Sequence, residues 1–225
     1  MASIYRDQGR LDRAETLEME VMEGRMGSLE HTHPLALTSM ANLASTYRDQ
    51  GRLTDAANLE KRLVETSRIV LGSHHPQTLM SIGNLSLTYR CQGMLSEAEN
   101  LGNEATITLK AVLGEQHPFT LTSMCNLALT YQGQDRPKEA ETLIRQTLQR
   151  MQSVLGQNHP HTLTAKANLV TIYQTQGRWL EAEMLNEQVL KGRMEVLGHG
   201  HPDTLASAED LMRIYQVNIA DGHVQ

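Results

Sequence analysis

The chain has 225 residues, and its 20 Lys and Arg against 26 Asp and Glu give a formal net charge of −6. This balance argues against DNA or RNA as a partner, because nucleic-acid binding requires a basic patch or stripe. Apolar residues make up 40% of the chain and aromatic residues only 4%. We therefore expect closely packed helices that use Ala, Leu and Val, and not one large globular core.

The sequence shows no sign of a membrane or secreted protein. No apolar run approaches the length of a membrane-spanning helix, and residues 1–10 contain no apolar signal core. Cys91 and Cys125 are too few for a disulfide framework. Reduced thiols fit a cytosolic or nuclear protein, and we expect a cytoplasmic location.

The dipeptide His-Pro recurs every 42 residues along the chain. A constant period of 20 to 50 residues indicates stacked supersecondary units. Such an array also makes catalysis improbable, because an active site needs unlike groups that converge on one point. The five dipeptides lie at 33–34, 75–76, 117–118, 159–160 and 201–202.

Residues 1–33 form a partial repeat that contains the end of one helix and a whole second helix. The sequence starts inside a repeat and has no polar cap there, although the ends of a solenoid need such caps. We expect the chain to be a fragment or truncated product of a longer array.

The first complete repeat covers residues 34–75 and predicts two helices. Pro34 fits the first turn of helix A, for which apolar residues at three- and four-residue spacing predict residues 34–49. Gln50-Gly51 ends helix A, helix B follows over about 52–70, and Leu71-Gly72 closes the repeat.

Three further repeats follow the same plan, at 76–117, 118–159 and 160–201. Within the third, Gln134-Asp135 replaces Gln-Gly and Pro137 follows, so we expect a slightly altered turn. Cys125 lies where other repeats have Ala or Gly, which indicates a small residue at a tight helix contact.

A lone helix A over 202–217 ends the array, and residues 218–225 form a tail. Glu209, Asp210 and Arg213 suggest that this helix caps the apolar end. The predicted fold class is all-α, a right-handed solenoid of stacked helix-turn-helix repeats.

The run from Asn42 to Tyr47, followed by Gln-Gly and then Ala56, resembles the tetratricopeptide repeat. The 42-residue form with His-Pro-x-Thr-Leu and Leu-Gly resembles kinesin light chains. It also resembles the C-terminal arrays of fungal NB-ARC (STAND-type) NTPases, whose consensus reads much like 159–163 and 176–183 of this chain. The resemblance implies that the A helices line a concave groove that binds a peptide or protein partner.

One asparagine recurs at the same place in each helix A. The four residues are Asn42, Asn84, Asn126 and Asn168. An amide has donors and an acceptor, so a row of them could hold an extended peptide backbone of any sequence. The resemblance implies this use. Alternatively, the amides bond the neighbouring helix and fix the stacking register.

The other predicted groove residues are hydroxyl and basic side chains of helix A. They are Ser39, Ser81, Ser123, Thr46, Thr88, Thr130, Arg48 and Arg90. Kinesin light chains that take acidic peptides have a basic groove, whereas this chain has few Lys or Arg on its A helices. The sequence therefore does not favour an acidic cargo.

Catalytic, metal and cofactor sites are not expected. Most of the ten histidines lie in loops a full repeat apart, too far to share one zinc ion, and they more plausibly cap helix ends. No phosphate-binding GxxxxGK[ST] loop or hydrolase motif occurs. We predict a non-enzymatic protein-binding module with no cofactor, no nucleic acid, no membrane and no evident small-molecule substrate. The alternative is a sensor or autoinhibitory arm of an NB-ARC-type NTPase.

Overall fold

The computed structural model describes residues 5–6, 9–28 and 33–220. It divides into two compact units, Met1–Gly114 and Glu115–Gln225. Helices fill almost all of the described ranges, which contain no strand. Residues 1–4, 7–8, 29–32 and 221–225, including most of the predicted tail, lie outside the described residues.

Unit 1 contains the predicted first helix B and two complete helix pairs. Within it, each helix packs against the next along the chain. Its helices are α1 (Leu11–Ser28), α2 (Pro34–Asp49), α3 (Leu53–Val70), α4 (Pro76–Cys91) and α5 (Leu95–Leu113).

Unit 2 contains two helix pairs and the last helix A, again packed in chain order, and α6 also contacts α8. The last helix extends three residues beyond the predicted 202–217. The helices are α6 (Pro118–Gly133), α7 (Pro137–Val154), α8 (Pro160–Thr175), α9 (Trp179–Leu197) and α10 (Pro202–Ala220). In the ranges described, no helix is both long and apolar enough to cross a membrane.

The His-Pro dipeptide starts each helix A. In the first repeat His33 is the N-cap, and its Nδ1 accepts a hydrogen bond from the backbone N–H of Leu35 at 3.2 Å. Pro34 follows in the first turn, where its missing N–H costs nothing. The same contact recurs at His75, His117, His159 and His201. The predicted capping role of these histidines is confirmed.

The turn between helix A and helix B has the same geometry in every repeat. Gly51 adopts φ 76°, in the left-handed region, and the third repeat keeps this conformation with Asp135 at φ 59°. Pro137 begins α7 as predicted. At four of these turns the next residue is an arginine that stacks on the last tyrosine of helix A, for example Arg52 at 4.1 Å from the Tyr47 ring centre, whereas Met94 occupies this position after Gly93.

Small and aliphatic side chains form the core of each unit. One alanine of helix B is fully buried in every repeat, at positions 14, 56, 98, 140 and 182. Cys125 is buried among Leu121, Met124 and Ala128, as expected of a small residue at a helix contact. Burial raises the pKa of the Cys125 thiol to about 12, so it stays protonated and unreactive at neutral pH.

Candidate functional site

Each complete helix A carries one solvent-facing stripe that its helix B does not cover. In α2 the stripe contains Leu35, Thr38, Asn42 and Ser45, which are spaced by three and four residues on one face. We call these residues, with their equivalents in α4, α6 and α8, the groove stripe. The equivalents are exposed or half-buried: Gln77, Met80, Asn84 and Leu87; Phe119, Thr122, Asn126 and Leu129; His161, Thr164, Asn168 and Thr171.

The four predicted asparagines lie on the groove stripe. Asn42 is exposed, and Asn84, Asn126 and Asn168 are half-buried. Among the described residues, none of the four side-chain amides makes a hydrogen bond to another protein group. The alternative role, in which the amides fix the register by bonding the neighbouring helix, has no such hydrogen bond among the described residues.

The predicted serines and threonines lie elsewhere. All six are buried, with exposures between 0% and 7%. The Ser39 hydroxyl donates to the Leu35 carbonyl at 3.1 Å, and the Thr46 hydroxyl donates to Glu18 Oε2 at 2.6 Å. In α2 the solvent instead reaches the neighbouring positions 38 and 45. The six residues that face the helix packing and not the groove are Ser39, Ser81, Ser123, Thr46, Thr88 and Thr130.

Arg48 and Arg90 occupy the same repeat position but differ in their surroundings. Arg48 Nη1 lies 3.0 Å from the buried Glu60 carboxylate and 3.3 Å from Thr88 Oγ1, so its charge is used inside unit 1. Burial raises the pKa of Glu60, while hydrogen bonds from Thr88 and the charge of Arg48 oppose this shift. Arg48 is thus a packing residue and not a groove residue.

Arg90 has no equivalent of Glu60, because Gly102 occupies that position in the next repeat. Its side chain makes no ion pair or hydrogen bond with the described residues, and its Nε is buried without an acceptor. Arg90 therefore differs from Arg48 in that no carboxylate of the described residues pairs with its charge.

The groove stripe has a property that the sequence analysis missed. None of these sixteen side chains is Asp, Glu, Lys or Arg, although these types make up 20% of the chain. Position 49, one turn further along the same face, is also exposed and is Asp49 in α2, and Cys91, Gly133 and Thr175 in the other complete A helices. Five of the sixteen are large apolar residues: Leu35 is 49% exposed, Met80 41% and Phe119 39%, and Leu87 and Leu129 are half-buried. The uncharged stripe could have been found in the sequence. Finding it required deciding whether position 38 or 39, and whether position 45 or 46, faces the solvent.

The histidines form no metal centre in the part of the chain that the structure describes. There, no three His, Cys, Asp or Glu side chains lie close enough to hold one ion. The imidazole Nδ1 atoms of five histidines are instead occupied in the helix caps described above.

The repeats match two models of one protein family. Tetratricopeptide repeat models match residues 36–77 and 78–119, and residues 107–153 and 120–195. The chain belongs to the tetratricopeptide repeat family. Repeats of this family generally serve in protein interaction, and the predicted all-α solenoid class is confirmed. The link to an NB-ARC-type NTPase stays a hypothesis.

Solved structures give the same result. A Podosopora anserina protein assigned as a kinesin light chain, with nearly identical TPR-like repeats, is 29% identical over 86% of this chain and 92% of its own, with a TM-score of 0.65. BtubC (BKLC) from P. vanneervenii has a TM-score of 0.71 at 17% identity, over 92% of this chain and 83% of its own. At that identity it shows the fold alone. No curated protein matches this chain.

Proposed function

We propose that this protein is a non-catalytic binding module that holds an extended peptide segment on the groove stripe. The observation that carries this proposal is the row of asparagines without internal hydrogen bonds. A solvent-facing amide that bonds nothing in its own fold can donate to and accept from a peptide backbone. The repetition of one such residue in every helix A is consistent with recognition that does not depend on ligand sequence.

The spacing of the helices suits an extended ligand. Successive A helices in a stacked array lie about 10 Å apart, roughly one helix diameter. An extended chain covers about 10 Å in three residues. Asn42 and Asn84 in unit 1 would therefore contact backbone groups about three residues apart. Asn126 and Asn168 would do the same in unit 2.

The side chains beside the asparagines define the preferred ligand. Most of them are hydroxyls or apolar residues and none is charged, so they favour uncharged polar and apolar side chains over acidic or basic ones. Arg90 adds a single cation next to the groove stripe of unit 1, where it can bind one carboxylate or carbonyl of the ligand.

The test is a selection of 12-residue peptides from a random displayed library, followed by affinity measurements on two variants. Asn84→Ala with Asn126→Ala should weaken binding by about tenfold or more, since each removes hydrogen bonds worth on the order of 1 kcal/mol. The control is Asn58→Ala with Asn100→Ala, which changes two exposed asparagines of helix B. The control should bind as the parent does.

The melting temperature separates a binding role from a packing role. Both double variants should melt within about 2 °C of the parent, because exposed substitutions away from the core cost little. If Asn84→Ala with Asn126→Ala leaves affinity unchanged, or lowers the melting temperature strongly, the proposed groove is wrong.

A further inference from the structure

We propose that unit 2 binds a proline-rich segment in the polyproline II conformation, with two prolines three residues apart against Phe119 and His161. This inference rests on the proposed function and names the class of peptide that unit 2 prefers. Both residues occupy the first groove-stripe position of their helix, in α6 and α8, and both side chains are exposed. The equivalent residues of unit 1 are Leu35 and Gln77, so among the four complete A helices only those of unit 2 have a ring at this position.

Each of the two rings packs against the histidine that caps its own helix. The ring centres of Phe119 and His117 are 5.1 Å apart, at an interplanar angle of 59°. The ring centres of His161 and His159 are 5.4 Å apart, and these rings are stacked at 27°. A side chain that is already held in place loses little conformational entropy when a ligand binds. Both rings are therefore pre-organised surfaces for a flat apolar group.

The distance between the two rings matches the repeat of a polyproline II helix. Helices α6 and α8 contact each other, and packed neighbouring helices lie about 10 Å apart. A polyproline II helix has three residues per turn and rises about 3.1 Å per residue, so prolines at positions i and i+3 lie on one side, about 9 Å apart. Prolines two or four residues apart point to different sides. A Pro-x-x-Pro segment therefore presents one pyrrolidine ring to each aromatic ring.

The rest of the groove stripe in unit 2 suits the backbone of such a segment. Thr122 and Thr164 lie between the two rings and the asparagines Asn126 and Asn168, which are seven residues further along each helix, or about 10 Å. A polyproline II helix has no internal hydrogen bonds, so its carbonyl oxygens are free to accept from an amide N–H. A segment lying over the two threonines has aromatic rings on one flank and amide donors on the other.

The chemistry of this surface favours a proline-rich segment over an acidic or basic one. The eight groove-stripe residues of unit 2 include no Asp, Glu, Lys or Arg. A proline-rich segment carries no charge of its own, and its stiff backbone loses less entropy on binding than a flexible chain does. Grooves that recognise such segments are lined by aromatic side chains, and unit 2 provides two of them at the required spacing.

Three peptides of identical composition test the spacing. Each has twelve residues and blocked termini, with two prolines placed two, three or four residues apart in a background of Ala and Gln. Isothermal titration of the whole chain should give an affinity at least about fivefold higher for the three-residue spacing, because only this spacing places both prolines on one side of the helix. Equal affinities for the three peptides overturn the proposal.

Two substitutions remove the rings one at a time. Phe119→Leu and His161→Gln each introduce a residue type that unit 1 has at the same position, and each should weaken binding of the Pro-x-x-Pro peptide by about fivefold or more. Leu35→Ala is the matched control, because Leu35 is exposed at the same position of α2 but belongs to unit 1. It should bind as the parent does. All three variants should melt within about 2 °C of the parent, since the substituted side chains are exposed.

The single phenylalanine of the chain allows a direct measurement of contact. Protein that contains 4-fluorophenylalanine has one fluorine resonance, from Phe119, and the Pro-x-x-Pro peptide should shift it. If peptides selected from the random library bind but leave this resonance unchanged and lack prolines three residues apart, the inference about proline is wrong while the proposed peptide-binding function stands. If the parent binds no peptide at all, both are wrong.

Discussion

Asp135 occupies a left-handed backbone conformation that the other repeats give to glycine. Its φ of 59° is close to the 76° of Gly51 and the 70° of Gly177. A residue with a Cβ pays a steric cost there, although Asp tolerates the region better than most. The turn is therefore fixed by the packing of the two helices, and the residue type only adjusts its cost.

Asp135→Gly should stabilise the protein by about 0.5–1 kcal/mol, because it removes the steric cost while the turn keeps its hydrogen bonds. Urea unfolding followed by circular dichroism measures the change. The reverse substitution in another repeat, Gly93→Asp, should lower stability by a similar amount. A loss of stability in Asp135→Gly would show that the carboxylate has a role of its own.

At the residue scale, the helix caps were predicted correctly, because a cap requires one particular acceptor atom. The groove residues were predicted wrongly where either of two neighbouring residues could have faced the solvent. The His-Pro cap requires a ring nitrogen two residues before a free N–H, and His33 provides it. Ser39 and Thr46 were expected on the groove stripe, yet each lies one residue past Thr38 and Ser45. One residue is about 100° of rotation on a helix, and spacing alone does not set that phase.

One buried residue of helix B pairs with the residue 28 positions later, in the next helix A. The chemistry of this pair varies between repeats. In unit 1 the pair is polar: Glu18, 5% exposed, accepts from the fully buried Thr46. In unit 2 the pair is Ile144 and Ile172, both 0% exposed, and then Asn186 and Ile214, where the Asn186 amide instead donates to the Ser207 carbonyl at 3.0 Å. The same stacking geometry accepts either chemistry, provided that each buried polar group has a hydrogen-bond partner.

Thr46→Ile alone should destabilise unit 1 by about 2–3 kcal/mol, because it leaves the Glu18 carboxylate buried without its donor. Glu18→Ile with Thr46→Ile should recover the parent stability or exceed it, because it reproduces the apolar pair of unit 2. A urea-unfolding double-mutant cycle measures the coupling. Additive effects of the two single substitutions would contradict the matched-pair explanation.

At the scale of elements, the constant 42-residue period predicted the helix boundaries closely. Helices α2 and α3 begin and end within one residue of the expected positions. The Glu18–Thr46 contact could not be predicted in the same way. Its partners belong to different repeats, and their meeting depends on how far one helix is shifted along the next. That offset leaves no periodic trace in the sequence.

Charge is distributed unevenly over the whole molecule. The net charge is −6, yet none of the sixteen groove-stripe residues is Asp, Glu, Lys or Arg. A ligand on the stripe would meet few fixed charges. Its association would then rest on hydrogen bonds and apolar contacts, which added salt screens little.

Peptides selected on this protein should bind with an affinity that changes less than about threefold between 50 and 500 mM NaCl, because the contacts are uncharged. Isothermal titration at both salt concentrations measures this. Arg90→Gln should reduce even this small dependence, since Arg90 is the available cation. A tenfold loss of affinity at high salt would show that ionic contacts dominate.

The single tryptophan of the chain gives each unit a different optical signature. Trp179 begins α9 and packs, half-buried, against the core of unit 2. Indole fluorescence therefore reports the unfolding of unit 2 only, whereas far-ultraviolet ellipticity sums the helices of both. Recording both signals in one thermal scan reveals, without any labelling, whether the two halves of the chain melt together.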